Sequence, residues 1–444
     1  MNRSALTDIR RRPSIWPKVA PRFTAAALSG HSAVGLAFGA LIYLICLTGT
    51  VSVLVDEMKL VEQPAPAAGA LQPGALDRAV ASVLKQAPAT ATLYATAPST
   101  PSQRLTVTTY GGGEHAYLAG ADGVAIPART PFTDFVTALH MTLTAPAPWG
   151  SLMVGLGGAA LLSLILSGVL SHPRVFRDAF RLRLGGSERL REAELHNRLS
   201  VWGLPFHVTV TLTGAVFGLA NLTILAVAAL GFHGDTARVY APVSGPAVVA
   251  DPRPAPMPDL EALAQRALRQ APGGRLGYIG VERAGTAGAR IIVEVAAPGR
   301  LPRGEDFYFD GAGRQIGRGR FVTGSVGMQA YSAAAQLHFG FFGGLPVRLV
   351  YVALGAALTF ISASGVTIWL ARRRDRGKPS PRLRRAWMAW TWGAPASLAL
   401  AALASRVLPP EPVFWASAGL LQLGAQWGRQ APDVSNRPPR PNSG

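Results

Sequence analysis

Carboxylates are scarce in this sequence. Its 444 residues hold 24 Asp and Glu against 43 Lys and Arg, and only 15% of them are charged. Almost half, 49%, are hydrophobic, and the mean hydropathy is positive at +0.24. So little charge excludes an ordinary soluble domain. Cysteine is nearly absent too. The single Cys46 rules out an internal disulfide and reads as a packing residue. With no Cys-x-x-Cys there is no cysteine metal site and no c-type haem attachment. A dinucleotide loop is also missing, because the glycine-dense GLGGAA (155–160) lies inside an apolar run and follows no strand.

What fills the space is apolar. Leu44 to Val55, Ser151 to Ser171, Val208 to Phe232 and Leu349 to Leu370 are nearly free of charge. With their flanks, each reaches the roughly 20 residues that cross about 30 Å of hydrocarbon. Two weaker runs, near 388–405 and 412–427, make six expected spans. The basic N-terminus precedes a long apolar run with no small-x-small cleavage site, so it reads as a retained anchor. Residues 1–30 carry six Lys and Arg, 172–203 carry seven and 371–386 carry eight, whereas the long stretch 56–149 carries five. Short basic loops stay in the cytoplasm, which puts both termini inside and the two long loops outside. The net charge of +19 is then a topology signal. Clusters such as RRRDRGKPSPRLRR (372–385) face lipid headgroups, and no nucleic-acid partner is expected.

The chain repeats itself. HSAVGLAFGALIYLICLTGTV from His31 and HNRLSVWGLPFHVTVTLTGAV from His196 both reach Leu-Thr-Gly-x-Val sixteen positions on, at an offset of 165. From Leu139 and from Leu337, a Leu-His pair leads to a Ser-Gly pair over 28 and 27 positions from the histidine. Between these lie LDRAVASVLKQAP (76–88) and LEALAQRALRQAP (260–272), which read as amphipathic helices. Strand-like RLTVTTY and HAYLAGADGVAI follow the first, and ARIIVEVAA and DFYFDGAGRQIG follow the second. The Asp-Gly pairs at 122–123 and 310–311 are hairpin signals. The unit is span, small outside α+β domain, span, present twice and entering the membrane in one direction. That implies a pseudo-two-fold axis along the membrane normal.

Four of the eight histidines fall on repeated positions: His31 with His196 at the cytoplasmic side, and His140 with His338 at the outside edge. Across the axis each pair can face itself, which is what a six-coordinate haem iron requires. No Asp, Glu or Cys stands at repeated depths. His31 to Gly49 and His196 to Gly214 are both 18 residues, which is five helical turns, or about 27 Å along one face. Gly49 and Gly214 then lie at the level of the other pair, and Gly168 and Gly365 close the inner ends. Glycines leave room where a porphyrin presses on a backbone. Two haems b are expected, ligated by His31, His196, His140 and His338 and packed on Gly49, Gly214, Gly168 and Gly365. His207, three turns past His196 and opposite Ile42 in the repeat, and His172 are reserve ligands, propionate partners or proton relays. His115 and His233 read as surface residues.

These residues resemble the PepSY-associated transmembrane family. The resemblance is carried by His31 with Leu-Thr-Gly (47–49), Leu-His (139–140), SGVLSHPRVFRDAFRLR (167–183), LHNRLSVWGLPFHVTVTLTG (195–214), and Leu-His (337–338) with Ser-Gly (364–365). It covers about residues 25–372. The family's first span often opens Leu-His-Arg-Trp, where this one reads Ser-Gly-His-Ser (29–32). The resemblance implies PepSY-like domains in the periplasm of a bacterial inner-membrane protein. Since members linked to iron uptake include a bacterial ferric-siderophore reductase, it also implies an oxidoreductase that reduces ferric siderophore iron at the periplasmic face. The expected donor is a quinol or a separate cytoplasmic reductase, and the other partner is membrane lipid. A non-enzymatic regulatory binding module and a transporter of siderophore or iron remain open.

The expected fold is a membrane α-helical bundle of four core spans and two C-terminal spans, with two small α+β domains and an internal parallel duplication. Its parts are a basic N-terminus (1–30), span one (31–55), the first PepSY-like domain (56–149) and span two (150–171). A basic loop (172–203), span three (204–232), the second domain (233–339) and span four (340–371) make the second half. A second basic loop (372–386), spans five and six (387–427) and a cytoplasmic tail expected to be disordered (428–444) complete the chain.

Overall fold

The structure, a computed structural model, describes residues 20–66, 69–86, 92–99, 104–111, 113–146, 148–172 and 188–427. Most of the expected basic N-terminus, the centre of the first basic loop, the tail and the Ala-Pro at 87–88 lie outside the described residues.

The first half runs α1 (Pro21–Ser52), α2 (Val55–Glu62), α3 (Ala75–Leu84), β1 (Thr92–Thr96), β2 (Leu105–Tyr110), β3 (Glu114–Ala119), β4 (Ala125–Pro127), α4 (Pro131–Thr142) and α5 (Trp149–Ser171). The second runs α6 (Glu188–Trp202), α7 (Leu204–Gly218), α8 (Ala220–Gly231), α9 (Thr236–Ser244), α10 (Leu260–Gln270), β5 (Arg275–Glu282), β6 (Arg290–Ala296), β7 (Gly304–Asp310), β8 (Gln315–Gly319), α11 (Val326–Phe339) and α12 (Gly344–Asp375). Helices α13 (Pro381–Ala404) and α14 (Pro410–Trp427) follow and pack against each other.

Among the described residues, α1, α5 and α12 are long and apolar enough to cross a membrane, and a fourth crossing is made if the bent pair α6–α7 counts as one span. Only 33%, 17% and 22% of the apolar windows of α1, α5 and α12 are buried inside the protein. The rest of those surfaces demands lipid, so this is a multi-pass membrane protein. Hydroxyls inside the spans bond their own helix, as Thr48 does to the Leu44 carbonyl (2.8 Å) and Thr50 to that of Cys46 (2.7 Å). These hydroxyls are then satisfied without water.

Span one starts earlier than expected, at Pro21. Span three differs more. Residues 188–202, expected in a basic loop, form α6, which meets α7 at a bend of 74°. Gly203 and Pro205 explain the bend, since proline has no N–H and its ring clashes with the carbonyl four residues back. His196 and Gly214 therefore do not share one straight helix face. Residues 220–231, expected as the outer part of the same span, are a separate helix with only Ala228 buried and Leu230 90% exposed. Helices form where spans five and six were expected, but neither meets the length and apolarity of a crossing. The first turns of α13 hold Arg382, Arg384 and Arg385, and α14 has 18 residues with Glu411 in its first turn.

The two small α+β domains are one body. The eight strands form a single antiparallel sheet in the order β4-β3-β2-β1-β5-β6-β7-β8. The repeats join where β1 pairs with β5, so the pseudo-two-fold passes between them. Tyr94 lies opposite Gly280 in that register, and a Cβ on Gly280 would stand 2.8 Å from the Tyr94 ring. One face of the sheet packs its alternate apolar residues on α3 and α10. These helices cap each other: Asp77 accepts from the Leu260 and Glu261 amides, and Glu261 accepts from those of Gly74 and Leu76. Asp77 and Glu261 are equivalent positions in the repeat, each placing a carboxylate at the other helix's positive end.

In the bundle α1 packs on α5 and α12, α5 on α7, and α12 on α6, which closes a ring of helices. The sheet sits at one end of this ring. The arginines of α12 and α13 sit at the other.

Candidate functional site: two histidine-lined cavities

The four repeated histidines are seated alike. His140 of α4 points Nδ1 at the Ile45 carbonyl of α1 (3.1 Å), with Thr48 Oγ1 at 3.4 Å. His338 of α11 meets Thr213 Oγ1 of α7 at 2.9 Å and the Val210 carbonyl. His31 of α1 meets the Leu164 carbonyl (3.0 Å) and Ser167 Oγ (3.1 Å) of α5. His196 of α6 meets Ser364 Oγ (2.9 Å) and the Ile361 backbone of α12. Each seat has a carbonyl at position i, a hydroxyl at i+3 and a glycine at i+4: Ile45, Thr48 and Gly49; Leu164, Ser167 and Gly168; Val210, Thr213 and Gly214; Ile361, Ser364 and Gly365.

This arrangement sets the tautomer. Each hydroxyl donates to a carbonyl of its own helix: Thr48 to Leu44 (2.8 Å), Ser167 to Ser163 (2.7 Å), Thr213 to Thr209 (2.6 Å) and Ser364 to Ile361 (3.2 Å). The hydroxyl oxygen can then only accept, so Nδ1 carries the proton and Nε2 keeps its lone pair. A second bond that orients the ring in this way is the usual support of a metal-binding imidazole.

The glycines make room for these rings. A Cβ on Gly49 would stand 2.7 Å from His140 Cε1, one on Gly214 3.0 Å from His338 Cε1, one on Gly168 3.3 Å from His31 Cε1, and one on Gly365 3.5 Å from His196 Cε1. The spacing had suggested glycines packed on a porphyrin. In the structure, the nearest neighbour outside each glycine's own helix is an imidazole.

Two cavities separate the histidine pairs. The sheet-side cavity, about 400 Å³, is lined by His140, His338, Gly49, Gly214 and Phe217. There the His140 and His338 ring centroids are 6.3 Å apart, with planes inclined by 23°. The far cavity, about 160 Å³, is lined by His31, His196, Gly168 and Gly365. Leu161 and Leu358 line both and form the partition. Among the described residues no group of three or more His, Cys, Asp or Glu is placed to hold a bare metal ion. In each cavity two repeated imidazoles stand among mostly apolar walls.

His172 and His207 also line the far cavity. His172 bonds its own helix at the Gly168 carbonyl (3.1 Å). His207 is 2% exposed, its ring lies over Gly203 at the bend, and its Nε2 has no partner. Ile42, its repeat equivalent, stands in the same wall. Cys46 is buried and lines the sheet-side cavity. His115 and His233 are exposed. Sequence reasoning passed over Thr48, Ser167, Thr213 and Ser364, although each stands immediately before a glycine it had singled out.

The profile of the PepSY-associated TM region matches residues 28–372. An uncharacterized protein of Pseudomonas aeruginosa is 31% identical over 317 residues, which are 66% of this chain and 80% of that protein. The match spans both histidine pairs, all four seats and the whole sheet, and on that ground the chain belongs to the PepSY-associated transmembrane family.

Proposed function

We propose that this protein is a haem-b oxidoreductase of the bacterial inner membrane. It takes electrons from a quinol or a cytoplasmic reductase at the far end and passes them to a ferric siderophore at the sheet end. The observation that carries the reading is the fourfold seat, which ties up Nδ1 of four imidazoles lining two largely apolar cavities.

The separation of His140 and His338 fits. A metal–imidazole bond of about 2 Å, plus the distance from nitrogen to ring centre, puts two ring centroids roughly 6 Å apart across one metal. The observed 6.3 Å leaves room for one iron between the rings, which His140 and His338 would hold. Neutral imidazoles among apolar walls suit a porphyrin better than a hydrated ion. His31 and His196 would hold the second haem. Bound haem supplies one-electron exchange between ferric and ferrous iron.

The chain's own residues do the rest. The carbonyls of Ile45, Val210, Leu164 and Ile361 hold the Nδ1 protons and keep each ring in register. Leu161 and Leu358 keep water out between the cavities while leaving them close. The sheet stands where a substrate arriving from outside meets His140 and His338. Hard oxygen ligands hold Fe(II) far less well than Fe(III), so reduction itself loosens the chelate and no hydrolytic residue is needed. The arginines at the end of α12 and after it support a reading with the far end in the cytoplasm, the sheet in the periplasm and both termini inside.

The test is a pyridine haemochrome assay on purified protein, with the expectation of about two b-type haems per chain. His140→Ala and His338→Ala should each remove the sheet-side haem and spare the other, and His31→Ala and His196→Ala the reverse. Less than about one haem per chain in fully loaded protein would overturn the reading. Loss of a haem from His172→Ala or His207→Ala, with His31→Ala or His196→Ala silent, would overturn the ligand pairing.

A further inference from the structure

Helix α2 spans the gap between the two halves of the sheet-side site. Its first turn presents Asp56 and Glu57 to Arg348 of α12. Arg348 Nη2 meets Asp56 Oδ2 at 2.6 Å, and Nη1 meets Glu57 Oε1 at 2.5 Å. The guanidinium also lies over the Phe341 ring at 5.9 Å. At its other end α2 closes on α4: Glu62 accepts from the Phe132 and Thr133 amides, both at 2.9 Å, and from the Thr133 hydroxyl.

The connection reaches both imidazoles. Helix α4 carries His140. One turn beyond Arg348, Tyr351 donates to the Leu337 carbonyl at 2.7 Å, beside His338. Polar contacts joined by the turns of α2 and α12 thus link the His140 helix, through Glu62, Asp56 and Glu57, Arg348 and Tyr351, to the His338 helix. The repeat does not supply it, since the positions equivalent to Asp56 and Glu57 at the 165 offset are Asn221 and Leu222.

Arg348 is 1% exposed. Burying a guanidinium carries a large desolvation penalty, and an apolar residue of similar size is often the more stabilising choice. What a buried ion pair supplies is a fixed geometry between its partners. We propose that Arg348 is a positioning residue which, through α2, sets the distance between His140 and His338. This rests on the reading of that pair as ligands of one haem.

The experiment compares Arg348→Met and Arg348→Lys with the unaltered full chain. In the loaded protein, absorption and electron paramagnetic resonance report the spin state of each haem. Arg348→Met should turn the sheet-side haem from low to high spin and leave the far haem low spin, which also shows that the chain has folded. Arg348→Lys should restore a large part of the low-spin signal. In haem-free protein, nitroxide labels at Met141 of α4 and Ala330 of α11, both exposed, report the separation directly. Their distance distribution should be narrow in the parent and broad in Arg348→Met. Unchanged spin state and unchanged label distances in Arg348→Met would overturn the proposal. A parent that binds no haem, with labels that still broaden in Arg348→Met, would overturn the haem reading and leave the clasp standing.

Discussion

One methyl group at each seat gives a graded test of what the glycines do. Ordinary contact to a Cβ begins near 3.4 Å. Against that limit, Gly49→Ala requires the His140 ring to retreat by about 0.7 Å, Gly214→Ala moves His338 by about 0.4 Å, Gly168→Ala moves His31 by about 0.1 Å, and Gly365→Ala leaves His196 in place. His140 cannot retreat freely, because its Nδ1 is bonded to Ile45 at 3.1 Å. Overpacking a tight site costs about 1–3 kcal/mol, equivalent to roughly 5- to 150-fold weaker haem retention. Retention should therefore fall in the order Gly365→Ala, Gly168→Ala, Gly214→Ala, Gly49→Ala, with Gly365→Ala close to the parent. The assay is haem transfer to an apo-globin acceptor, followed by absorption, together with the low-spin fraction of what remains. If Gly365→Ala lost its haem as readily as Gly49→Ala, the glycines would be packing a porphyrin rather than an imidazole. If all four variants matched the parent, the seats would not matter at all.

Two predictions concern the sheet. Asp306 on β7 lies opposite Glu294 on β6; burial, aided by the Glu294 carboxylate, pushes Asp306 up to about 7. A carboxyl raised in the folded state contributes its stability below its ordinary value of 3.8 and loses it as pH rises through 7. Asp306→Asn should then raise the unfolding temperature at pH 8 and change it little at pH 4; equal shifts at both would refute the assignment. Asp77→Ala and Glu261→Ala should each cost about 1–2 kcal/mol as lost helix caps. The double variant should lose somewhat more than the sum, because each single substitution also relieves the repulsion between the two carboxylates. Denaturant titration of the four proteins measures this, and an additive or smaller loss would count against two carboxylates facing each other across the reciprocal caps.

Much of the site was legible because the repeat displays it twice. A histidine followed by Leu-Thr-Gly at a fixed distance is weak once and informative at an offset of 165. The strands that join the two halves were not legible. In β5, Gly277 and Gly280 lower the strand signal, and their reason lies elsewhere in the chain: Gly280 makes room for Tyr94, on a strand that the helix α3 and a turn separate from any obvious pattern. The bend at Gly203 was written in Gly-Leu-Pro, but hydrophobicity runs straight through it and hides the break. The seat hydroxyls were passed over because Thr and Ser in an apolar helix ordinarily bond their own carbonyls, as these do, and only the structure shows the oxygen accepting a second bond from an imidazole.

The distribution of contacts between the repeats explains why a clasp is needed. Each histidine is seated by a helix of its own half: His140 by α1, His31 by α5, His338 by α7 and His196 by α12. A half therefore fixes the tautomer and direction of its own rings without help from the other. What duplication cannot provide is the distance across the axis, since a seat repeated twice says nothing of how far apart the copies stand. The β1–β5 junction fixes that distance for the sheet. At the level of His140 and His338, Arg348 does so through an α2 whose acidic residues occur in one half only. The symmetric residues orient the imidazoles, and an asymmetric one sets the gap they close.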